Sequence, residues 1–352
     1  MKPFKRHDDM ETLLLKTDPQ HPDPAVCAKA GALLAAGKLV AIPTETVYGL
    51  AANALDEAAV RAIFAAKGRP QDNPLIVHVA HPDWLPRYAA SIPDAARKLV
   101  NAFWPGPLTI VLPASPQLAP AVSAGLPTAG FRCPSHPVAT AVIEAAGVPL
   151  AAPSANRSGS PSPTAAAHVL ADLAGRIDAV VDAGPCAVGV ESTVVALHGD
   201  VPHILRPGGI TPAQLKAVLG AAEVDPAVLE GLDDAAKAAS PGMKYKHYAP
   251  KASVTILKGP LDVFVRYTRA HAVDGTFALC FDGEETRIGL PCVSYGPARD
   301  AAAQARELFG ALRALDERGA RAVFARAPEE TGMGLAVYNR LLRAAGFSVV
   351  TL

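Results

Sequence analysis

The 352-residue sequence lacks an excess of either charge: lysine plus arginine number 33 and aspartate plus glutamate number 33. A protein that holds long nucleic acid on its surface carries a basic surplus to neutralise phosphates. Neither the whole chain nor residues 1–220 has one. Any phosphate contact is therefore expected to be local, through a few arginines facing a small molecule. Cysteine is scarce, and Cys27, Cys133, Cys186, Cys280 and Cys292 form no CxxC pair and no zinc-like spacing. Such an odd, scattered set fits reduced thiols and excludes a disulfide framework. Every long apolar run is broken by charge or proline before it reaches membrane-spanning length. The opening stretch MKPFKRHDDMETLLLKT alternates charges around no apolar centre, unlike a secretory signal. These absences predict a soluble, cytoplasmic protein.

The familiar chemical signatures are missing too. There is no GxxxxGK[ST], no GxGxxG opening a helix, no HExxH, no GxSxG and no cluster of histidine and cysteine. Classical phosphate loops, zinc hydrolases and serine hydrolases are thereby excluded, and no protein-ligated metal is expected. Magnesium carried in with a nucleotide stays compatible, because that ion needs few protein ligands.

Half of the residues are hydrophobic and the mean hydropathy is +0.20, the composition of a packed globular protein. Its length suffices for two cores. Aromatics make up only 5%, so alanine and aliphatic side chains must fill those cores. The 33 prolines gather in loop strings such as HPDP, GRPQDNP, WPGP and SGSPSP. Between them, short apolar runs alternate with helical patterns over residues 24–220. Helices are predicted over Pro24–Ala36, Glu57–Ala66, Asp94–Phe103, Val138–Ala146, Ala165–Leu173 and Thr211–Leu219. Strands are predicted at Leu39–Ile42, Leu75–Val79, Leu108–Leu112, Val148–Ala152, Ala179–Asp182, Ser192–Leu197 and His203–Leu205. This rhythm predicts an α/β domain. Residues 221–251 break it and end in the aperiodic SPGMKYKHYAPKA. From 252 a smaller alternation begins, with a long helix from Ala301 capped by Asp300, and it predicts a Rossmann-like three-layer unit. The expected organisation is thus a first domain over 1–220, a linker over 221–251 and a second domain over 252–352.

Polar clusters stand where strands end. PTETVYGL follows the apolar run Leu39–Ile42, and its two hydroxyls and carboxylate suit a ligand better than a turn. In KGRPQDNP, Lys67 and Arg69 flank Gly68. That pattern either caps a helix or offers charge to a ligand, and capping is the simpler reading of these residues alone. His78 follows on a buried strand, where an imidazole is more often a satisfied core group than a ligand. Arg132, in the Pro-bounded segment TAGFRCP, is read as lying in an apolar turn, costly to bury unless an anion meets it, and on this stretch alone a structural ion pair answers that need as well as a ligand's carboxylate or phosphate. APSANRSGSPSPT begins hard against a strand end and leads into a helix, which favours a ligand-binding loop over a flexible one with Thr164 as a cap. GVESTVV and LRPGG each place polar groups at strand boundaries, and each alone is weak.

Taken in order, PTETVYGL, KGRPQDNPLIVHV, FRCP, APSANRSGSPSPT, GVESTVV, LRPGG and SPGMKYKHYAP resemble the YrdC-like threonylcarbamoyl-AMP synthases, in their two-domain form. The resemblance implies a twisted, open, mixed sheet with helices, followed by the small Rossmann-like unit. It implies an enzyme that makes L-threonylcarbamoyladenylate and pyrophosphate from L-threonine, bicarbonate or CO2, and ATP with magnesium, using no bound prosthetic group. A downstream transferase then modifies tRNA beside the anticodon, and stable tRNA binding by this chain is not expected. By similarity, Thr46 and His78 face the threonine side chain and amine, and Arg132 takes its carboxylate with Ser192 and the Ala152 backbone. Arg69, Asn73, Ser154, Ser162 and Arg206 hold ATP, with Thr128 nearby, Lys67 adding charge and Tyr248 reaching in from the linker, which covers the site. Lys67 and Arg69 are the expected catalytic pair. Besides a regulatory module that binds a nucleotide without chemistry, which Lys67, Arg69 and Ser154 oppose, two other readings compete. One is a double-stranded RNA binder using a concave basic face, which zero net charge opposes. The other is a carbamoyl-adenylating module of hydrogenase maturation, whose zinc-finger and acylphosphatase segments are not visible in this sequence.

Overall fold

The structure is a computed structural model that describes residues 11–199, 201–230 and 248–352. Eleven strands form one open sheet. From edge to edge they are Leu13–Lys16, Ala179–Asp182, Val40–Ile42, Gly49–Asn53, Leu150–Ala151, Ile76–His78, Thr128–Arg132, Leu108–Pro113, Thr193–His198, Val201–Arg206 and Glu223–Val224. Pairing is mixed. Val40–Ile42, Gly49–Asn53, Leu150–Ala151 and Ile76–His78 are successively antiparallel, whereas Ile76–His78 runs parallel to Thr128–Arg132.

Local chemistry accounts for the helices that cover this sheet. Helix Pro24–Ala35 starts where Asp23 accepts a hydrogen bond from the Ala25 N–H, with proline at its first position. Its residues Cys27, Ala30 and Leu34 pack with Val138, Val142 and Ile143 of helix Pro137–Ala146 in one core layer. Helix Glu57–Lys67 is capped by Asp56 at its start and by left-handed Gly68 at its end. Its Val60, Ile63 and Phe64 are buried in the larger core of the other layer.

A second sheet holds five parallel strands in the order Cys292–Ser294, Thr276–Cys280, Ala322–Arg326, Ser253–Lys258 and Val349–Thr351. Helices Ala301–Glu317, which Asp300 caps through the Ala303 N–H, and Gly334–Ala344 cover one face. Helix Leu261–His271 covers the other, with Phe264 at its centre. The two units share a core: Val47 and Val190 from the first cluster with Phe309, Leu341 and Tyr248. Every residue of Gly334–Ala344 is buried, so this helix sits between the units rather than on the surface.

Several sequence expectations need correction. Thr128–Arg132 is a sheet strand and not a turn. Gly49–Asn53 (GLAAN) is also a strand, although glycine and alanine are poor strand formers; small side chains are accepted there because strands flank it on both sides. Leu13–Lys16 joins the edge beside Ala179–Asp182, a pairing too distant in sequence to be read locally. Helix Leu261–His271 had no counterpart in the sequence reading. The disfavoured alternative, a cap at Thr164, does not form: helix Ala166–Leu173 begins after Ala165 without a side-chain bond, and the Thr164 N–H donates to His168 Nδ1. Ser240 to His247 of the segment SPGMKYKHYAP lie outside the described residues.

The units approach closely at Gly189, whose φ is +82°. A Cβ there would stand 2.3 Å from Arg306 Cα and 2.4 Å from Ala305 O, backbone of helix Ala301–Glu317. Gly68, by contrast, is left-handed with open space around it. Gly189→Ala is expected to cost about 2–4 kcal/mol through clash and backbone strain, and Gly68→Ala only about 1 kcal/mol. Urea denaturation midpoints measure both, and equal losses would contradict the close approach.

Candidate active site

A cleft opens at the rim of the large sheet. Strand register builds one half of it. His78 is the register partner of Arg132 on one side and of Leu150 on the other, which brings imidazole and guanidinium together just before Ala152, Pro153 and Ser154 leave the sheet. The loop of PTETVYGL joins two antiparallel strands and turns inward at the same place, so Thr44, Glu45 and Thr46 are all buried.

The hydrogen bonds of this half can be assigned by donor count. The Thr44 hydroxyl donates to Val47 O at 2.6 Å. It has no second proton, so in the 2.8 Å contact between the two hydroxyls Thr46 is the donor. Thr46 Oγ1, with no exposed surface in the residue, therefore turns acceptor lone pairs towards the cleft. Arg132 is only 4% exposed. Its Nη2 lies 2.7 Å from Glu45 Oε1, an ionic contact without hydrogen-bond alignment, so its Nε and Nη2 remain without an aligned acceptor. A buried guanidinium edge in that condition is built for a carboxylate. His78 Nδ1 faces the Ile76 carbonyl at 3.2 Å; a carbonyl only accepts, so that nitrogen carries the proton. Burial first, and the charge of Arg132 second, push the His78 pKa down to about 3. The imidazole is neutral at physiological pH.

The other half gathers cations and hydroxyls. Lys67, 3% exposed, donates to Ser154 O at 2.5 Å and Asn156 O at 2.6 Å. Burial and the neighbouring Arg69 hold its ammonium well below the usual lysine range. The Ser154 hydroxyl donates to Asn156 Oδ1 at 2.6 Å. Half-buried Arg69 donates from Nη2 to the carbonyls of Asn73 and Pro74, at 3.3 and 3.2 Å, while its Nε has no aligned partner. Its pKa is pushed down to about 10, by burial and by Arg206, which leaves it charged at neutral pH. Arg206 follows a register shift between Ile204 and itself in its strand. From there its Nε donates to Ser192 O at 3.1 Å and its Nη2 to Ser192 Oγ at 3.2 Å. RPGG is more than a turn here, because a Cβ on Gly208 would stand 2.4 Å from Glu191 O. Tyr248, buried at a left-handed φ of +63°, closes this side.

Thus Thr46, Lys67, Arg69, His78, Arg132, Ala152, Ser154, Ser192, Arg206 and Tyr248 share one cleft. Asn73, Ser162 and Thr128 do not line it. Asn73 lies beneath Arg69, Ser162 donates to Glu191, and Thr128 sits at the far end of the Arg132 strand. The wall also contains Thr44, one of the two PTETVYGL hydroxyls read as suited to a ligand, and Asn156 and Glu191, which stand inside the motifs without an individual role in the sequence analysis. Among the described residues no group of three or more histidine, cysteine, aspartate or glutamate side chains is placed to hold a metal, and no helix is long and apolar enough to cross a membrane.

Known proteins resemble this chain along most of its length. Residues 32–208 match the family model described as telomere recombination, which covers Sua5, YciO and YrdC, and residues 210–346 match that of the threonylcarbamoyl-AMP synthase C-terminal domain. The chain belongs to the Sua5/YrdC family. The Bacillus subtilis threonylcarbamoyl-AMP synthase is 45% identical over 99% of this chain and 100% of its own. The enzyme of that name from Pyrococcus abyssi is 45% identical over 91% of this chain and 94% of its own. The solved Sua5 structure from P. abyssi, complexed with L-threonine, aligns with a TM-score of 0.89 at 40% identity, covering 97% of this chain and all of that one. Within the Sua5/YrdC fold, the cleft described above lies in the segment matched by the first family model, apart from Tyr248.

The depressed His78 pKa has a measurable consequence. Below about pH 6.5 an unfolded histidine takes up a proton that folded His78 refuses until about pH 3. Its contribution to stability is therefore complete above pH 6.5 and is lost as the pH falls, by about 1.4 kcal/mol per unit. His78→Gln is expected to flatten the fall in urea midpoint between pH 7.5 and 5; parallel curves for both proteins would refute the assignment.

Proposed function

We infer that the chain is an L-threonylcarbamoyladenylate synthase, forming threonylcarbamoyl-AMP and pyrophosphate from L-threonine, bicarbonate or CO2, and ATP. Family membership across both segments and the relatives named above support the reaction. The observation that carries the reading to this cleft is Arg132: a buried guanidinium with an unaligned Nε–Nη2 edge, beside a neutral imidazole and an acceptor hydroxyl. An amino acid satisfies all three. Its carboxylate pairs with Arg132, near Ser192 and the Ala152 backbone, and its amine and side-chain hydroxyl meet Thr46 and His78.

The cationic half suits a triphosphate. Arg69 and Arg206 face the phosphates with Ser154, Lys67 adds charge, and Tyr248 packs on the nucleotide. Asn73 and Ser162 act one step back, through Arg69 and Glu191, and Thr128 does so more remotely, through the strand that carries Arg132. Magnesium enters with the triphosphate, whose oxygens and water supply most of its ligands. The carboxylate at the wall, Glu191, is engaged by Ser162 and Arg340.

In the reaction the threonine amine attacks CO2, its N–C bond forms and a proton leaves, giving a carbamate. A carbamate oxygen then displaces pyrophosphate from the α-phosphorus. No covalent bond to the protein is required. Positioning of the two substrates and fixed positive charge opposite the developing negative charge on the phosphates do the work. His78, with a pKa of about 3, hydrogen-bonds and does not serve as the base. The product is consumed by a separate transferase that modifies tRNA, and the chain itself needs no stable tRNA contact, in keeping with its zero net charge.

Mass spectrometry of reactions with ATP, bicarbonate and each amino acid in turn, with pyrophosphate assayed alongside, tests this reading. Product selective for threonine is expected. RNA binding with a steep salt dependence and no ATP turnover would replace it by the RNA-binding alternative. Arg132→Ala is expected to raise the threonine KM by about 100-fold with a smaller effect on ATP. Lys67→Ala and Arg69→Ala should each lower kcat by about 100-fold or more, and near-normal turnover in both would remove them from the mechanism.

A further inference from the structure

The second sheet unit sends one side chain into the wall of the cleft. Arg340, on helix Gly334–Ala344, has no solvent exposure. Its Nε donates to Glu191 Oε2 at 2.6 Å and its Nη2 to Glu191 O at 3.3 Å. Its Nη1 donates to Pro207 O at 2.9 Å, and its guanidinium carbon stands 5.5 Å from the centre of the Tyr248 ring. Glu191 also accepts from the Ser162 hydroxyl, so the loop containing Ser158 to Ser160 is tied to the same point. Four chain segments on the cationic side of the cleft therefore converge on one buried charge from the other domain. The threonine side, built by sheet register around His78 and Arg132, makes none of these contacts.

We propose that Arg340 is a positioning residue for nucleotide binding, its guanidinium holding Glu191, the Pro207 carbonyl and the Tyr248 ring where the phosphate-binding wall needs them. The proposal rests on the reading of this cleft as a nucleotide site. Glu191 is a carboxylate in a wall meant for phosphates. Unpaired, it would repel them and draw Arg206, whose charge already acts on it, away from its place against Ser192. Arg340 neutralises that carboxylate without occupying the cleft. The second domain thereby becomes part of the catalytic wall, although it brings no group to the reacting atoms.

The test is calorimetric titration of the free full-length protein with ATP and, separately, with L-threonine. R340M, similar in bulk but uncharged, is expected to weaken ATP binding by about tenfold or more and to leave threonine binding within about twofold. The double variant R340M/E191Q, which removes the stranded carboxylate, is expected to recover ATP affinity to within about threefold of the parent. R340K keeps a charge but cannot span Glu191 and Pro207 together, and is expected to lose about three- to tenfold in ATP affinity while folding normally. ATP binding within about twofold of the parent in R340K or R340M overturns the proposal. So does parallel loss of both ligands with no rescue by E191Q, the mark of a merely structural role. Absence of ATP binding by the parent protein would instead overturn the assignment of the cleft, which the threonylcarbamoyl-AMP assay reports independently.

Discussion

Positive charge buried in a protein of zero net charge is the constraint on which the rest of the molecule depends. Lys67, Arg132 and Arg206 each keep less than a tenth of their surface in solvent, with Arg69 half-buried among them. Like charges taken out of water at such proximity oppose folding unless fixed dipoles or anions answer them. The protein answers with carbonyls: Ser154 and Asn156 for Lys67, Asn73 and Pro74 for Arg69, Ser192 for Arg206. Around the cleft, among the buried N–H groups of the described residues, only the Nε of Arg69 and the Nε and Nη2 of Arg132 lack an aligned acceptor, which is how an overall neutral chain offers an anion a strong local field.

The two halves of the cleft are made by different devices. On the side of His78 and Arg132, strand register does the positioning: the two are partners in neighbouring parallel strands, so their spacing is set by the backbone ladder and not by loops. On the side of Lys67, Arg69 and Arg206 the wall combines a helix end, a strand end and loops, and the loops need support. Gly208 gives the close approach that lets Arg206 and Ser192 meet, and Arg340 supplies the anchor from outside the first domain. The rigid half suits discrimination among similar small molecules. The supported half suits a larger ligand held mainly by its phosphates.

Much of the fold was legible because its elements carry their own punctuation. Asp23, Asp56, Thr211 and Asp300 all cap the helices they precede, and helix Asp94–Phe103 and strand Ala179–Asp182 fall on the expected residues. The elements that escaped are those whose state depends on distant partners. Leu13–Lys16 becomes a strand because Ala179–Asp182 lies beside it, and Gly49–Asn53 because two strands flank it. Arg132 looked like a turn residue since prolines bound its segment, yet Pro113, the register partner of Thr128, and the neighbouring strands hold it extended.

Sequence by itself determined the chemistry on offer: the residue types at strand ends, the alternation that makes two α/β units, and the absence of metal clusters, phosphate-loop glycines and surplus charge. Those properties are local, set by composition, spacing and caps. Only the tertiary structure decided which polar groups share a cleft, which of them support it from behind, and that Arg340 reaches Glu191 across 149 positions of chain. Nothing near Arg340 in sequence marks it, because its role arises from where helix Gly334–Ala344 docks, and docking is settled by the shape and burial of two whole surfaces rather than by any short stretch of residues.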